Sequence, residues 1–114
     1  MASANDVAAY LLQECGSMTA MKMQKLVYYS QAWSLVWDDA PLFTERIEAW
    51  ANGPVVPTLY KQHRGKFTVS DWPSGNPDKL LDSWRDARAE IPDTERGNGE
   101  ITLAAMVEYY GSLQ

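Results

Sequence analysis

The sequence predicts a mainly α-helical fold: a compact domain of about five helices, with one short extended β element between the second and third. Three observations carry this. Apolar residues recur at the 3, 4 and 7 spacing of a helix face in successive segments, most of them bounded by capping residues. Alternation is confined to a single short run at 42–50, and that is too little strand for an independent sheet. At 114 residues the chain can bury one hydrophobic core but is marginal for two, so a single domain over 1–114 is expected.

The elements follow in order. "NDVAAYLLQECG" reads as a short helix, with Asn5 as its cap, Val7, Tyr10, Leu11 and Glu14 at helical spacing, and Gly16 closing it in a left-handed conformation. Cys15 is expected as a small buried residue at its end. Thr19 then caps "AMKMQKLVYYSQAWSLVW", which contains no Gly or Pro. Met23, Leu26, Val27, Ser30, Trp33 and Trp37 form one stripe of this second helix, and Tyr29, Ala32 and Val36 lie beside it. Apolar residues cover more than half its circumference, which predicts a central helix packed on several sides, with Lys22 and Lys25 on its solvated edge.

Pro41 disfavours helical geometry at Ala40 and stops that helix. In "LFTERIEAW", Phe43, Glu45, Ile47 and Ala49 alternate with Thr44, Arg46, Glu48 and Trp50, the pattern of a short exposed strand. The chain turns at Asn52-Gly53 and enters a third helix, "VVPTLYKQHRG", closed by Gly65. Pro54 is expected in its first turn, and Pro57 either there or at a slightly later start. Residues 65–77 read as a loop. Asn76 caps a fourth helix over 77–91, with Pro77 at its first position, Asp78 near its positive end, and a stripe of Leu80, Leu81, Trp84, Ala87 and Ile91. "PDTERGNGE" reads as the most mobile interior loop, and Thr102 caps a last helix carrying Leu103, Met106, Val107 and Tyr110 on one face.

Composition bounds the function. The formal net charge is −5, and the one basic cluster is Lys61, Arg64 and Lys66. Phosphate neutralisation supplies most nucleic-acid affinity, so autonomous nucleic-acid binding is not expected and a protein partner is. No apolar run approaches the roughly 20 residues that cross a bilayer. The N-terminal segment lacks the basic region of a secretory signal, and the single cysteine permits no intrachain disulfide; a cytoplasmic setting is expected.

The residues offer little chemistry. His63 is the only histidine, at a predicted helix end where it can complement the dipole, and it has no neighbouring ligand to start a metal site. There is no nucleophile signature and no phosphate loop. Asp82 and Asp86 interleave with Arg85 and Arg88 as a solvated charged face, and Asp38-Asp39 is the other acid pair. No catalytic residue, metal ligand or cofactor is assigned. An enzyme with a dispersed site around His63, Tyr60 and nearby acids would need a deep polar cleft.

The segment from the second through the third helix resembles the Panacea domain, also described as SocA-like or phage-associated. The residues that carry the resemblance are Lys25, Leu26, Tyr28, Tyr29, Gln31 and Trp33; the block "PLFTERIEAWANGPVVPTLY" from Pro41 to Tyr60, with Ile47, Gly53, Pro54 and Pro57; "SWRDAR", with Trp84 and Arg88; and Ile101 with Tyr109 and Tyr110. In one respect the chain departs from the pattern. Family members carry a further helical stretch, often with an "LTH"-like triplet, before the "pW..AR" motif, whereas here "SGNPDKLL" runs almost directly into "DSWRDAR". The chain is therefore expected to be internally shortened, leaving apolar surface exposed or covered by a partner.

The resemblance implies an antitoxin that neutralises a cognate toxin by direct contact, or an adaptor that delivers it to a protease. Neither needs catalysis. A phage or prophage protein of the same fold that binds a host defence or regulatory protein is the alternative. Trp50, Tyr60, Trp72 and Tyr28 (or Tyr29) are candidate partner contacts, each competing with a role in the core, and Lys61, Arg64 and Lys66 are a candidate basic rim. Trp72, in a loop rich in proline and glycine, is expected to be the most exposed.

Overall fold

The computed structural model describes residues 2–89, with side chains as far as Arg85. The loop expected at 92–100 and the helix expected from Thr102 lie outside the described residues. Among those described there are four helices and two small antiparallel sheets. In order they are α1 (Ala4–Cys15), β1 (Met18–Thr19), α2 (Ala20–Trp37), β2 (Glu48–Trp50), β3 (Gly53–Val55), α3 (Pro57–His63), β4 (Thr68–Val69) and α4 (Pro77–Ala89). The mainly helical prediction holds at this level.

α1 starts on a capping box. Ser3 Oγ accepts from Asp6 N at 3.3 Å, and Asp6 Oδ2 accepts from Ser3 N at 2.9 Å, so Ser3 and not Asn5 is the cap. Glu45 Oε2 accepts from Ala4 N at 3.0 Å, placing a loop carboxylate at the positive end of the helix. Gly16 closes α1 at φ 77°, its N–H donating to Leu12 O at 2.9 Å. Cys15 is exposed, contrary to expectation, because the buried part of α1 ends at Leu12.

The central helix is α1. Ala4 and every residue from Asp6 to Leu12 are buried, so the helix is enclosed on all sides over that stretch. Its small residues allow close approach: a Cβ on Gly75 would lie 1.9 Å from the carbonyl oxygen of Asn5. α2, expected at the centre, buries Met23, Gln24, Leu26, Val27, Ser30 and Ser34 but exposes Tyr28, Leu35, Val36 and Trp37. Its apolar circumference therefore exceeds what its neighbours among the described residues cover. Thr19 caps it as predicted, Oγ1 accepting from Lys22 N at 3.1 Å.

The predicted extended element is the second strand of the chain and half of a hairpin. β2 pairs with β3 in the register Glu48↔Val55, Ala49↔Pro54, Trp50↔Gly53. Pro54 thus lies in a strand and not in the first turn of α3, whose first residue is Pro57. The segment 65–77 is also more ordered than a loop. β4 pairs with β1, and Ala20 N donates to Phe67 O at 2.9 Å, tying this segment to the start of α2. Asn76 caps α4 as expected, its Oδ1 accepting from Asp78 N at 2.9 Å.

Candidate functional site

The hairpin register follows from one residue. Pro54 has no N–H, so Ala49↔Pro54 can only be a non-hydrogen-bonded pair, and the ladder bonds fall at the flanking pairs Glu48/Val55 and Trp50/Gly53. On the far side of β3 the next residue, Val56, is held by a side chain. Val56 N donates to Gln24 Oε1 at 2.9 Å, and Gln24 Nε2 donates to Val56 O at 3.4 Å. Gln24 therefore stands where a third strand would. Two turns along α2, Gln31 does the same for the preceding loop. Its Oε1 accepts from Leu42 N at 2.7 Å and Phe43 N at 3.3 Å, and its Nε2 donates to Phe43 O at 2.8 Å.

Gln24 and Gln31 thus tie the chain on either side of the hairpin to α2, and the hairpin itself borders a groove of about 440 Å³ lined by Tyr28, Ile47, Glu48, Ala49, Trp50, Gly53 and Pro54. Ile47 packs against the core and forms its floor, while Tyr28 and Trp50 remain 39% and 40% exposed at its sides. Gly53 turns the hairpin at φ 129°, a backbone angle that L side chains resist. Two turns on along the same side of α2, Leu35 is also exposed.

Arg46, Glu48 and Trp50 alternate onto one face of the hairpin and are bonded to each other. Trp50 Nε1 donates to Glu48 Oε1 at 2.9 Å, and Arg46 Nε lies 2.7 Å from Glu48 Oε2. The Trp50 indole N–H, with the Arg46 guanidinium as a smaller contribution, holds the Glu48 carboxyl below the usual range and so keeps it ionised. The Trp50 ring meets Tyr60 edge-on with centroids 4.8 Å apart, and Tyr60 in turn meets His63 at 5.4 Å.

His63 is buried. Its Nε2 lies 2.9 Å from Gln24 Nε2. The bonds of Gln24 to Val56 fix the amide orientation, so Nε2 of Gln24 is the donor and Nε2 of His63 the acceptor, leaving the ring proton on Nδ1. Burial pushes the imidazole pKa down, with a backbone hydrogen bond opposing it. A neutral buried ring does not serve as the charged partner of a helix dipole, so that expectation is replaced by a packing role.

The remaining predicted residues divide clearly. Lys61 and Arg64 are exposed, with Lys66, at the end of α3. Trp72 is buried at 7% exposure, overturning its expected exposure. Its Nε1 donates to Asn5 Oδ1 at 2.9 Å, and Asn76 N donates to Asp6 Oδ1 at 2.8 Å, so the 65–77 segment is drawn down onto α1. Among the motif residues, Leu26 is core, Tyr29 and Trp33 pack against the core, and Lys25 reaches the back of Gly53. Pro41 is exposed, Arg88 lies on α4, and Trp84 Nε1 donates to Asp38 Oδ2 at 3.1 Å. Gln24 is the positioning residue beside the groove that sequence reasoning missed. Its spacing of seven from Gln31, inside an apolar stripe, was the available signal.

Among the described residues, no helix is long and apolar enough to cross a membrane, and no group of three His, Cys, Asp or Glu side chains could hold a metal ion. A family model described as "Antitoxin SocA-like, Panacea domain" matches residues 23–99. That span contains α2 from Met23 onward, the hairpin, the groove, α3 and α4. No curated protein and no solved structure matches the chain.

Proposed function

The chain belongs to the antitoxin SocA-like, Panacea domain family, and from that premise we propose that it is a non-enzymatic antitoxin that neutralises a cognate toxin by binding it at the α2–hairpin groove. One observation carries the choice of site. The fold brings Tyr28, from the second helix, to the same groove as Ile47, Trp50, Gly53 and Pro54 of the block that gives the family its most recognisable stretch. Two half-exposed aromatic rings beside an apolar floor, rimmed by an ionised carboxylate, are the composition of a protein-binding hot spot. His63 is engaged by Gln24 and enclosed by aromatic rings, which supports a structural and not a catalytic role for it. We place the protein in the cytoplasm, as expected from its cysteine content.

The test is co-expression with the product of the neighbouring gene, scoring growth and co-purification. The unmodified chain rescues growth and co-purifies with that product. Trp50→Ala and Tyr28→Ala each weaken binding by about 2 kcal/mol, the hot-spot range, while lowering folding stability by no more than about 1 kcal/mol. A neighbour that is not toxic and does not co-purify would sink the proposal. Toxin levels separate the two mechanisms: they hold steady under direct neutralisation and fall if the chain delivers the toxin to a protease.

A further inference from the structure

The hairpin has one open edge and one closed edge. On β3, Pro54 supplies no donor, and the outward N–H and C=O of Val56 are taken by Gln24. On β2, the non-hydrogen-bonded pairing of Ala49 with Pro54 turns the N–H and C=O of Ala49 away from β3. Ala49 is exposed, and neither group has a partner among the described residues. An exposed strand with unpaired backbone groups is a template for another strand. Such an edge is usually blunted by proline, and here the proline sits on the opposite strand.

We propose that the partner is captured by β-strand addition: an extended segment of a basic partner protein pairs with β2 through the Ala49 N–H and C=O. This rests on the antitoxin reading, whose site it shares. Side-chain alternation sets the chemistry of the added strand. The residue opposite Ala49 turns an apolar side chain toward Tyr28, Ile47 and Pro54. Its neighbours fall on the opposite face, beside Glu48 and Trp50; Glu48 already pairs with Arg46 there, and the half-exposed indole ring offers a Lys or Arg a cation–π face. Charge also selects against a second copy of this chain. Two chains of net charge −5 would have to approach with a Glu48 on each pairing edge.

The experiment compares the unmodified chain, Ala49→Pro and Ala49→Val as binders of the neighbouring gene product, together with amide exchange at Ala49 in the free and bound chain. Ala49→Pro removes the outward N–H, and the ladder bonds of the flanking pairs Glu48/Val55 and Trp50/Gly53 do not use the Ala49 amide. It is expected to weaken binding about tenfold or more, because the partner's carbonyl loses its donor. Ala49→Val keeps the N–H and stays within about threefold. The Ala49 amide exchanges freely in the isolated chain and becomes protected in the complex, a result that stands even if Ala49→Pro fails to fold. Binding with the amide still exchanging, or undiminished binding by Ala49→Pro, overturns strand addition while leaving the antitoxin reading in place. An isolated chain that is already dimeric, with the amide protected, identifies a second copy as the occupant and overturns the proposal. Absence of any binding by the unmodified chain removes the antitoxin reading and strand addition with it.

Discussion

A single buried glutamine, Gln24, sets the state of the only histidine. With its Oε1 committed to Val56 N, the amide presents N–H to His63 Nε2, which must then be unprotonated. Protonating that nitrogen would set donor against donor in a buried site. Burial holds the folded-state pKa of His63 below its ordinary value, whereas the unfolded chain titrates near about 6.5. Between the two values the unfolded chain binds a proton that the folded chain does not, so stability rises with pH through that window. Acidification from neutral pH is therefore expected to lower the melting temperature, starting near pH ~6.5 and levelling off below the folded-state pKa. His63→Gln, which offers Gln24 a carbonyl oxygen in place of the ring nitrogen, should flatten that part of the profile. Equal slopes in the two proteins between neutral pH and pH ~5 would show that His63 is not the group responsible.

Among the elements, the 65–77 segment crosses α1 in close contact. Gly75 lies so near the first turn of α1 that a methyl group there would overlap the Asn5 carbonyl. Gly75→Ala must push the segment away and strain the Asn76–Asp6 and Trp72–Asn5 bonds. The expected cost is about 1–3 kcal/mol, read as a lower urea midpoint at unchanged slope; an unshifted midpoint would mean the two elements are not held at this distance. This contact also shows what the sequence could and could not reveal. The four described helices were legible because their signals are local: a 3.6-residue period, Thr19 and Asn76 as caps, Pro57 and Pro77 at first positions. The two-residue strands β1 and β4 carry no periodicity and exist because each finds the other across the fold. Trp72 looked exposed for the same reason: Asn5, whose Oδ1 accepts the hydrogen bond from its indole N–H, is 67 residues away. Pro54 signalled a helix start, but its missing N–H fits a non-hydrogen-bonded strand pair equally well, and only the partner strand decides. Two residues of the groove lining, Trp50 and Tyr28, were singled out as candidate contacts from the sequence. The clamp that holds the chain just after the hairpin was not, since Gln24 bonds to a backbone 32 positions away.

For the molecule as a whole, the misplaced centre and the proposed partner belong to one account. α2 has the more apolar circumference, yet α1 occupies the core because its alanines let several elements approach at once, leaving Tyr28, Leu35 and Val36 of α2 facing outward. Apolar surface of this kind beside a groove is where a partner gains binding energy, whereas charge governs how fast the partner arrives. The chain carries 15 acidic against 10 basic residues. A basic toxin would be drawn toward it from beyond contact range, and added salt would screen that attraction once the Debye length shrinks to a few ångströms. The association rate with the neighbouring gene product is therefore expected to fall about tenfold or more between low ionic strength and ~0.5 M salt. The dissociation rate, set by the buried aromatic contacts and the paired backbone, should change far less. Stopped-flow measurements across that range separate the two rates. An association rate indifferent to salt would remove electrostatic complementarity from the account of recognition and, with it, the case for a basic strand beside Glu48.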